Sequence, residues 1–188
     1  MRLLNIADLE LVLPADIGLA AFDVEETGTT YLENASLKAT AFAQASQMYA
    51  LADDSGLEVA ALNNEPGVYS KRYAGEDKTD TERIAFLLNK LQNVPANRRE
   101  AHFVAVLALA DPTGKIIASE TGLCLGEIVF QSRGSNGFGY DPIFLVDDTN
   151  GCTMAELDDA EKDRVSHRGN AVRAISSNLN KILNLKSV

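Results

Sequence analysis

The spacing of apolar positions changes several times along the chain, and each change marks an element. Residues 9–13 (LELVL) read as a short strand stopped by Pro14, because a residue preceding proline is pushed out of the helical region. Residues 23–30 (DVEETGTT) form a polar, acidic connector. In residues 31–49 good helix formers dominate, and Leu32, Ala35, Ala39, Phe42 and Ala43 recur at helical spacing. Residues 49–52 (YALA) are a short apolar run, which predicts a buried strand delivering Asp53 and Asp54 to a loop. Residues 63–78 carry the turn signals Pro66-Gly67 and Gly75 and read as a long loop. Thr79 followed by Glu82 fits a capping box ahead of the helix RIAFLLNKL, and Pro95 closes the next loop.

In the second half the period shortens. Residues 102–110 (HFVAVLALA) predict a strand, Asp111 to Gly114 a turn, and residues 115–119 a returning strand. Residues 123–130 add another strand. A glycine-rich stretch, 134–142 (GSNGFGYDP), precedes a further strand at 143–146. Thr153 and Glu156 match the capping-box spacing a second time. The last helix is expected from about Ser166 to Leu183, with Ala171, Val172, Ile175, Leu179, Ile182 and Leu183 as its apolar stripe. Strand pairs with intervening helices, without internal repeats, predict an α/β fold.

Composition narrows the function classes. The 188 residues suffice for a core without staples, and 46% apolar with 23% charged residues is a globular balance. Net charge is −10, which disfavours nonspecific binding to nucleic acid or an anionic membrane. A small anionic ligand stays open, because a metal ion or a local basic cluster reverses the sign inside one pocket. Asp8 and Glu10 interrupt the apolar N-terminus, so no signal peptide is expected, and no run is long enough to span a membrane. Cys124 and Cys152, the two cysteines, form no zinc motif and read as reduced thiols of a cytoplasmic protein.

Four stretches could carry chemistry. Asp53 and Asp54 end an apolar run, where uncompensated carboxylates are costly to bury. A divalent cation is one compensation, and a turn whose Asp and Ser bond their own backbone is the other. Glu25, Glu26 and Glu33 precede or open a helix, which suits either the helix dipole or a metal. Gly137-Phe138-Gly139-Tyr140-Asp141 offers an aromatic face for a flat heterocycle, or a tight turn with a core aromatic. Lys162, His167 and Arg168 gather positive charge near the first turn of the last helix, with Ser166 as its cap. Cations there oppose the dipole, which favours a functional reading over a solvated basic face. Lys38, Lys71 and Arg72 add scattered positive charge.

These stretches together resemble one family, the noncanonical purine nucleoside triphosphate pyrophosphatases, also called the inosine triphosphatase or Ham1-like family. The matching segments are EETGTTYLENASLKA (25–39), ADDSGLEV (52–59), PGVYSKRYAG (66–75), GFGYDPIF (137–144) and AELDDAEKDRVSHRG (155–169), in the family's order and spacing. The resemblance implies a long curved mixed sheet flanked by helices, in two lobes with a central cleft. It implies Mg²⁺-dependent hydrolysis of inosine, deoxyinosine and xanthosine triphosphates to monophosphate and pyrophosphate by a cytoplasmic homodimer, cleansing the nucleotide pool. By motif, Glu25 and Asp54 are the metal-site acids, and Asp54 is also the general base. Ser55, Phe138, Gly139, Tyr140, Asp141, Lys162, His167 and Arg168 contact the nucleotide, with Asp53, Lys38 and Arg72 accessory.

One family segment has no counterpart. Members begin with a strand and a Ser/Thr-x-Asn-x-x-Lys loop that cradles the triphosphate, whereas this sequence opens with Met1-Arg2-Leu3-Leu4. Residues 1–188 are therefore expected to form a single two-lobed domain lacking that strand and loop. The alternative function is a non-catalytic or weakly active nucleotide-binding relative.

Overall fold

The computed structural model describes residues 9–147 and 149–182. The expected opening at Met1 and the helix end at Leu183 lie outside the described residues. No strand forms at residues 9–13, which are irregular and lead into a 3₁₀ turn at Pro14–Ile17. Leu13 there is exposed, so the LELVL pattern has no buried face to occupy.

Helix α1 is Tyr31–Ser46, β1 Ala50–Val59, β2 Glu65–Pro66, α2 Asp80–Lys90, β3 Glu100–Ala110, β4 Ile116–Ile128, β5 Phe144–Val146, α3 Asp159–Val165 and α4 His167–Ile182. The strands make one five-stranded sheet in the order β2-β1-β3-β4-β5, with antiparallel pairings at both edges. The chain divides into two compact units. The first holds Met1–Asp54, Ala105–Gly122 and Ala171–Val188, and the second holds Ser55–Val104 and Leu123–Asn170.

In the first unit, α1 buries Tyr31, Ala35, Ala39 and Ala43, one residue per turn, and leaves Leu32 exposed. The helix stops three residues before its expected end. Ser46 Oγ bonds the Phe42 carbonyl, and Gln47 takes a left-handed φ of 56°. Residues of β3 and α4 close this unit's core: Ala105, Leu107 and Leu109 against Ala171, Val172, Ile175 and Leu179.

In the second unit Leu57, Val59, Leu87, Leu91, Ile128, Ile143, Phe144 and Met154 form the main core. Thr79 and Glu82 cap α2 reciprocally, as the spacing predicts. The second match differs: Glu156 accepts from the Thr153 N–H within a turn, and the helix box is Asp158 with Glu161. Arg99 is almost fully buried, and its guanidinium donates to the carbonyls of Ile128 and Leu91 at 2.6 and 2.9 Å.

Two strands run further than their local signals. The acids at 53 and 54 lie inside β1 rather than in a loop after it, because ladder pairing overrides the turn tendency of Asp-Asp-Ser-Gly. Likewise 115–119 and 123–130 merge into the single strand β4. Gly126 belongs there for a different reason than a turn: a Cβ would sit 2.0 Å from the Leu145 carbonyl of the paired strand.

Leu87 is fully buried in the second unit's core, so Leu87→Ala should lower stability by about 2–5 kcal/mol. A urea unfolding midpoint equal to that of the unmodified protein would contradict this packing.

Candidate functional site

The first unit gathers an acid cluster. Asp54 is buried in β1, and burial raises its carboxyl pKa more than its partners lower it. Those partners come from α1: Asn34 Nδ2 donates to Asp54 Oδ2 at 3.3 Å, and Lys38 Nζ to Asp54 Oδ1 at 3.3 Å. Lys38 also donates to Glu26 Oε1 at 2.7 Å. Burial pulls the Lys38 ammonium down, yet Glu26 and Asp54 outweigh it and its pKa is raised.

The acid that converges with Asp54 on one cationic atom is thus Glu26. Glu25, the residue singled out from the motif, is exposed. One position decides this because the connector is held from its other end. Asn34, completely buried, accepts from the Gly28 N–H at 2.8 Å while donating to Asp54, and a Cβ on Gly28 would lie 2.6 Å from Asn34 Oδ1. Asn34 was legible only as a helix residue. Glu33 serves the cap of α1, accepting from the Thr29 and Thr30 amides at 2.7 and 3.0 Å. Asp53 is half-buried and adds to the field at Lys38.

Among the described residues no group of three or more His, Cys, Asp or Glu is placed to hold a metal. Two carboxylates that already share one ammonium do fit Mg²⁺, which commonly binds one or two protein carboxylates and completes its shell with water and phosphate.

The second unit builds a cradle around Phe138, which is 60% exposed. Lys162 Nζ lies 5.0 Å and the Arg168 guanidinium 5.3 Å from its ring centroid. Asp141 is buried, and its Oδ2 accepts from the Phe138 N–H at 2.9 Å and from Lys162 at 2.5 Å. Gly137 must be glycine here, since its φ is 77° and a Cβ would fall 2.0 Å from that same oxygen. Tyr140 points inward instead. Its hydroxyl donates to the Ser70 carbonyl at 3.0 Å, and burial raises its pKa strongly. Ser70 Oγ in turn accepts from the Leu57 N–H, so the YSKRY motif braces β1 against the glycine loop. Arg72 lies over the Tyr69 ring at 5.2 Å.

Ser166 caps α4 by accepting from the Gly169 N–H. His167 follows, 5% exposed, stacked on Phe103 with centroids 4.8 Å apart. Burial, reinforced by Arg168 and Lys162, lowers its pKa to about 3. Arg168 Nη1 stands 3.4 Å from His167 Nε2. Arginine only donates, so the hydrogen-bond network assigns Nε2 as acceptor and Nδ1 as the protonated nitrogen. That buried Nδ1 has no hydrogen-bond partner among the described residues. Arg168 Nη2 also donates to Ser55 Oγ at 2.7 Å, which ties the first residue of this unit to its last helix. A residue absent from the motif reading joins the cradle as well: Asp80 of α2 accepts from the Gly139 N–H at 2.7 Å.

A model of the Ham1 family matches residues 2–178. A dITP/XTP pyrophosphatase of Exiguobacterium sibiricum is 47% identical over 94% of this chain and 86% of its own length. One from Thermus thermophilus is 49% identical over 92% of this chain and 77% of its own. Among solved structures, a HAM1 protein from Coxiella burnetii superposes with a TM-score of 0.86 at 42% identity, covering 96% of this chain and 90% of that one. The Staphylococcus aureus Ham1 protein gives a TM-score of 0.78 at 49% identity, covering 85% of this chain and 81% of that one.

The His167 geometry has a consequence for stability. Its ordinary pKa of 6.5 falls to about 3 on folding, so between these values the unfolded chain binds a proton that the folded chain refuses. This contribution is complete above pH 6.5 and is lost as pH falls, with a slope of up to about 1.4 kcal/mol per pH unit. Urea unfolding from pH 7 down to 4 should show that slope, and His167→Gln should flatten it. An equal slope in both proteins would contradict the buried neutral ring.

Proposed function

Because the chain belongs to the Ham1 family, we propose that it is a nucleoside triphosphate pyrophosphatase acting on inosine, deoxyinosine and xanthosine triphosphates. The observation that carries this reading is the unpaired, buried Nδ1–H of His167. A buried donor without an acceptor costs about 1–3 kcal/mol. The 6-keto oxygen of hypoxanthine or xanthine removes that cost, and the 6-amino group of adenine does not. Phe138 supplies the stacking face, Lys162 and Arg168 lie over the same ring, and Asp141 holds the loop amide and Lys162 together. Gly139 and Tyr140 set the loop, and Ser55 orients Arg168.

At the phosphate end, Asp54 is the general base. A carboxylate whose pKa is raised by burial takes a proton from water more readily than an ordinary one. Glu26 and Asp54 would hold Mg²⁺, which when bound neutralises phosphate charge. Lys38 bonds both carboxylates and so orients them. Attack at the α-phosphorus releases pyrophosphate, and the protein's share of catalysis is positioning and electrostatics.

A cytoplasmic homodimer accompanies this reading. Leu123 and Leu125 leave an apolar strip on β4, a feature of surfaces that pair. No helix among the described residues is long and apolar enough to cross a membrane.

Pyrophosphate release from inosine triphosphate should exceed that from ATP by about 10–100-fold in kcat/KM, the value of one unpaired donor. Equal rates, or release of single phosphates, would end this reading, and binding of inosine monophosphate without any turnover would point to a binding protein. Asp54→Asn should abolish turnover with the fold retained by circular dichroism. Surviving activity would remove Asp54 as the base.

A further inference from the structure

Phe138 is mostly exposed, so packing does not fix its direction. What holds it is its backbone. The Phe138 N–H is taken by Asp141, three residues on, and the next amide, that of Gly139, is taken by Asp80 Oδ2 at 2.7 Å, from 59 residues away. A Cβ at Gly139 would meet nothing within 4 Å, so the loop crest has no packing restraint on that side. The Asp80 contact is then the long-range bond made to the crest's own backbone, beside the one that the Tyr140 hydroxyl makes to the Ser70 carbonyl.

Asp80 is free for this role because α2 does not need it as a cap. Thr79 and Glu82 already satisfy the helix start reciprocally. Arg83, one turn on, donates to Asp80 Oδ1 at 2.5 Å and fixes the carboxylate's orientation, leaving Oδ2 toward Gly139.

We infer that Asp80 is a positioning residue for base recognition: through the Gly139 amide it sets the orientation of the Phe138 stacking face, and so the affinity for the purine, with no part in the phosphate chemistry. This rests on the function proposed above. The restraint is made before any ligand binds, so it acts by preorganisation, which lowers the cost of ordering the loop around a base.

The test uses Asp80→Ala and Asp80→Asn in the full chain, with inosine triphosphate as substrate. Asp80→Ala should raise KM about tenfold, as loss of a charge-assisted hydrogen bond implies, with kcat held within about twofold. Asp80→Asn keeps an acceptor oxygen and should recover most of the KM. In the nucleotide-free protein, amide exchange at Gly139 should quicken in Asp80→Ala and return toward the unmodified rate in Asp80→Asn. An unchanged KM, or kcat falling in step with a rising KM, overturns the role of Asp80. Unchanged exchange at Gly139 overturns the link itself. A wild-type protein that leaves inosine triphosphate intact overturns the proposed function, a result distinct from either.

Discussion

Placing Asp54 inside a strand is the constraint around which the acid site is organised. Asp54 is buried on the inward face of its strand, so its neighbours must supply the polar contacts. Helix α1 supplies them at positions 34 and 38, four residues and one turn apart, on the face that its alanines bring inward. The amide of Asn34 reaches two ways, to Asp54 and to Gly28, so one buried side chain sets both the base and the connector bearing Glu26. Small residues on α1 and a glycine at 28 are then spatial requirements of that cluster.

The cradle in the second unit follows another logic. Its polar groups are arranged around glycines whose amides are held by carboxylates, Asp141 locally and Asp80 from α2. The positive groups Lys162 and Arg168 gain from an aromatic face and from an acid or a hydroxyl, which for Arg168 offsets an unfavourable position in the first turn of α4. The buried ring Nδ1 of His167 has no hydrogen-bond partner among the described residues, which is why the proposed reading gives it the purine's keto oxygen.

Much of this was legible in the sequence, and the failures have physical causes. The capping box at Thr79 and the cap at Ser166 are local and both formed, whereas the same spacing at Thr153 closed a turn instead. Asp-Asp-Ser-Gly read as a turn because turn tendency is local while ladder pairing is not, and β1 absorbed it. Residues 9–13 had strand composition without a partner. The motif reading chose Glu25 in the acidic connector, whereas the carboxylate that bonds Lys38 beside Asp54 is that of Glu26, a contact made twelve positions on that no local pattern displays. Asn34 and Asp80 escaped because neither residue type is unusual where it stands. Their roles arise from bonds spanning 20 and 59 positions.

The unpaired imidazole nitrogen has a kinetic corollary. Cleavage between the α- and β-phosphates leaves the purine untouched, so the bond proposed between this nitrogen and the keto oxygen would be as good in the product as in the substrate. A contact equal in both states holds the ground state and the transition state alike and adds nothing to the chemical step. Discrimination on this basis appears in capture rather than in turnover. On the proposed reading the nucleoside monophosphate would leave against the same bond that admitted its parent, and so would compete for the pocket.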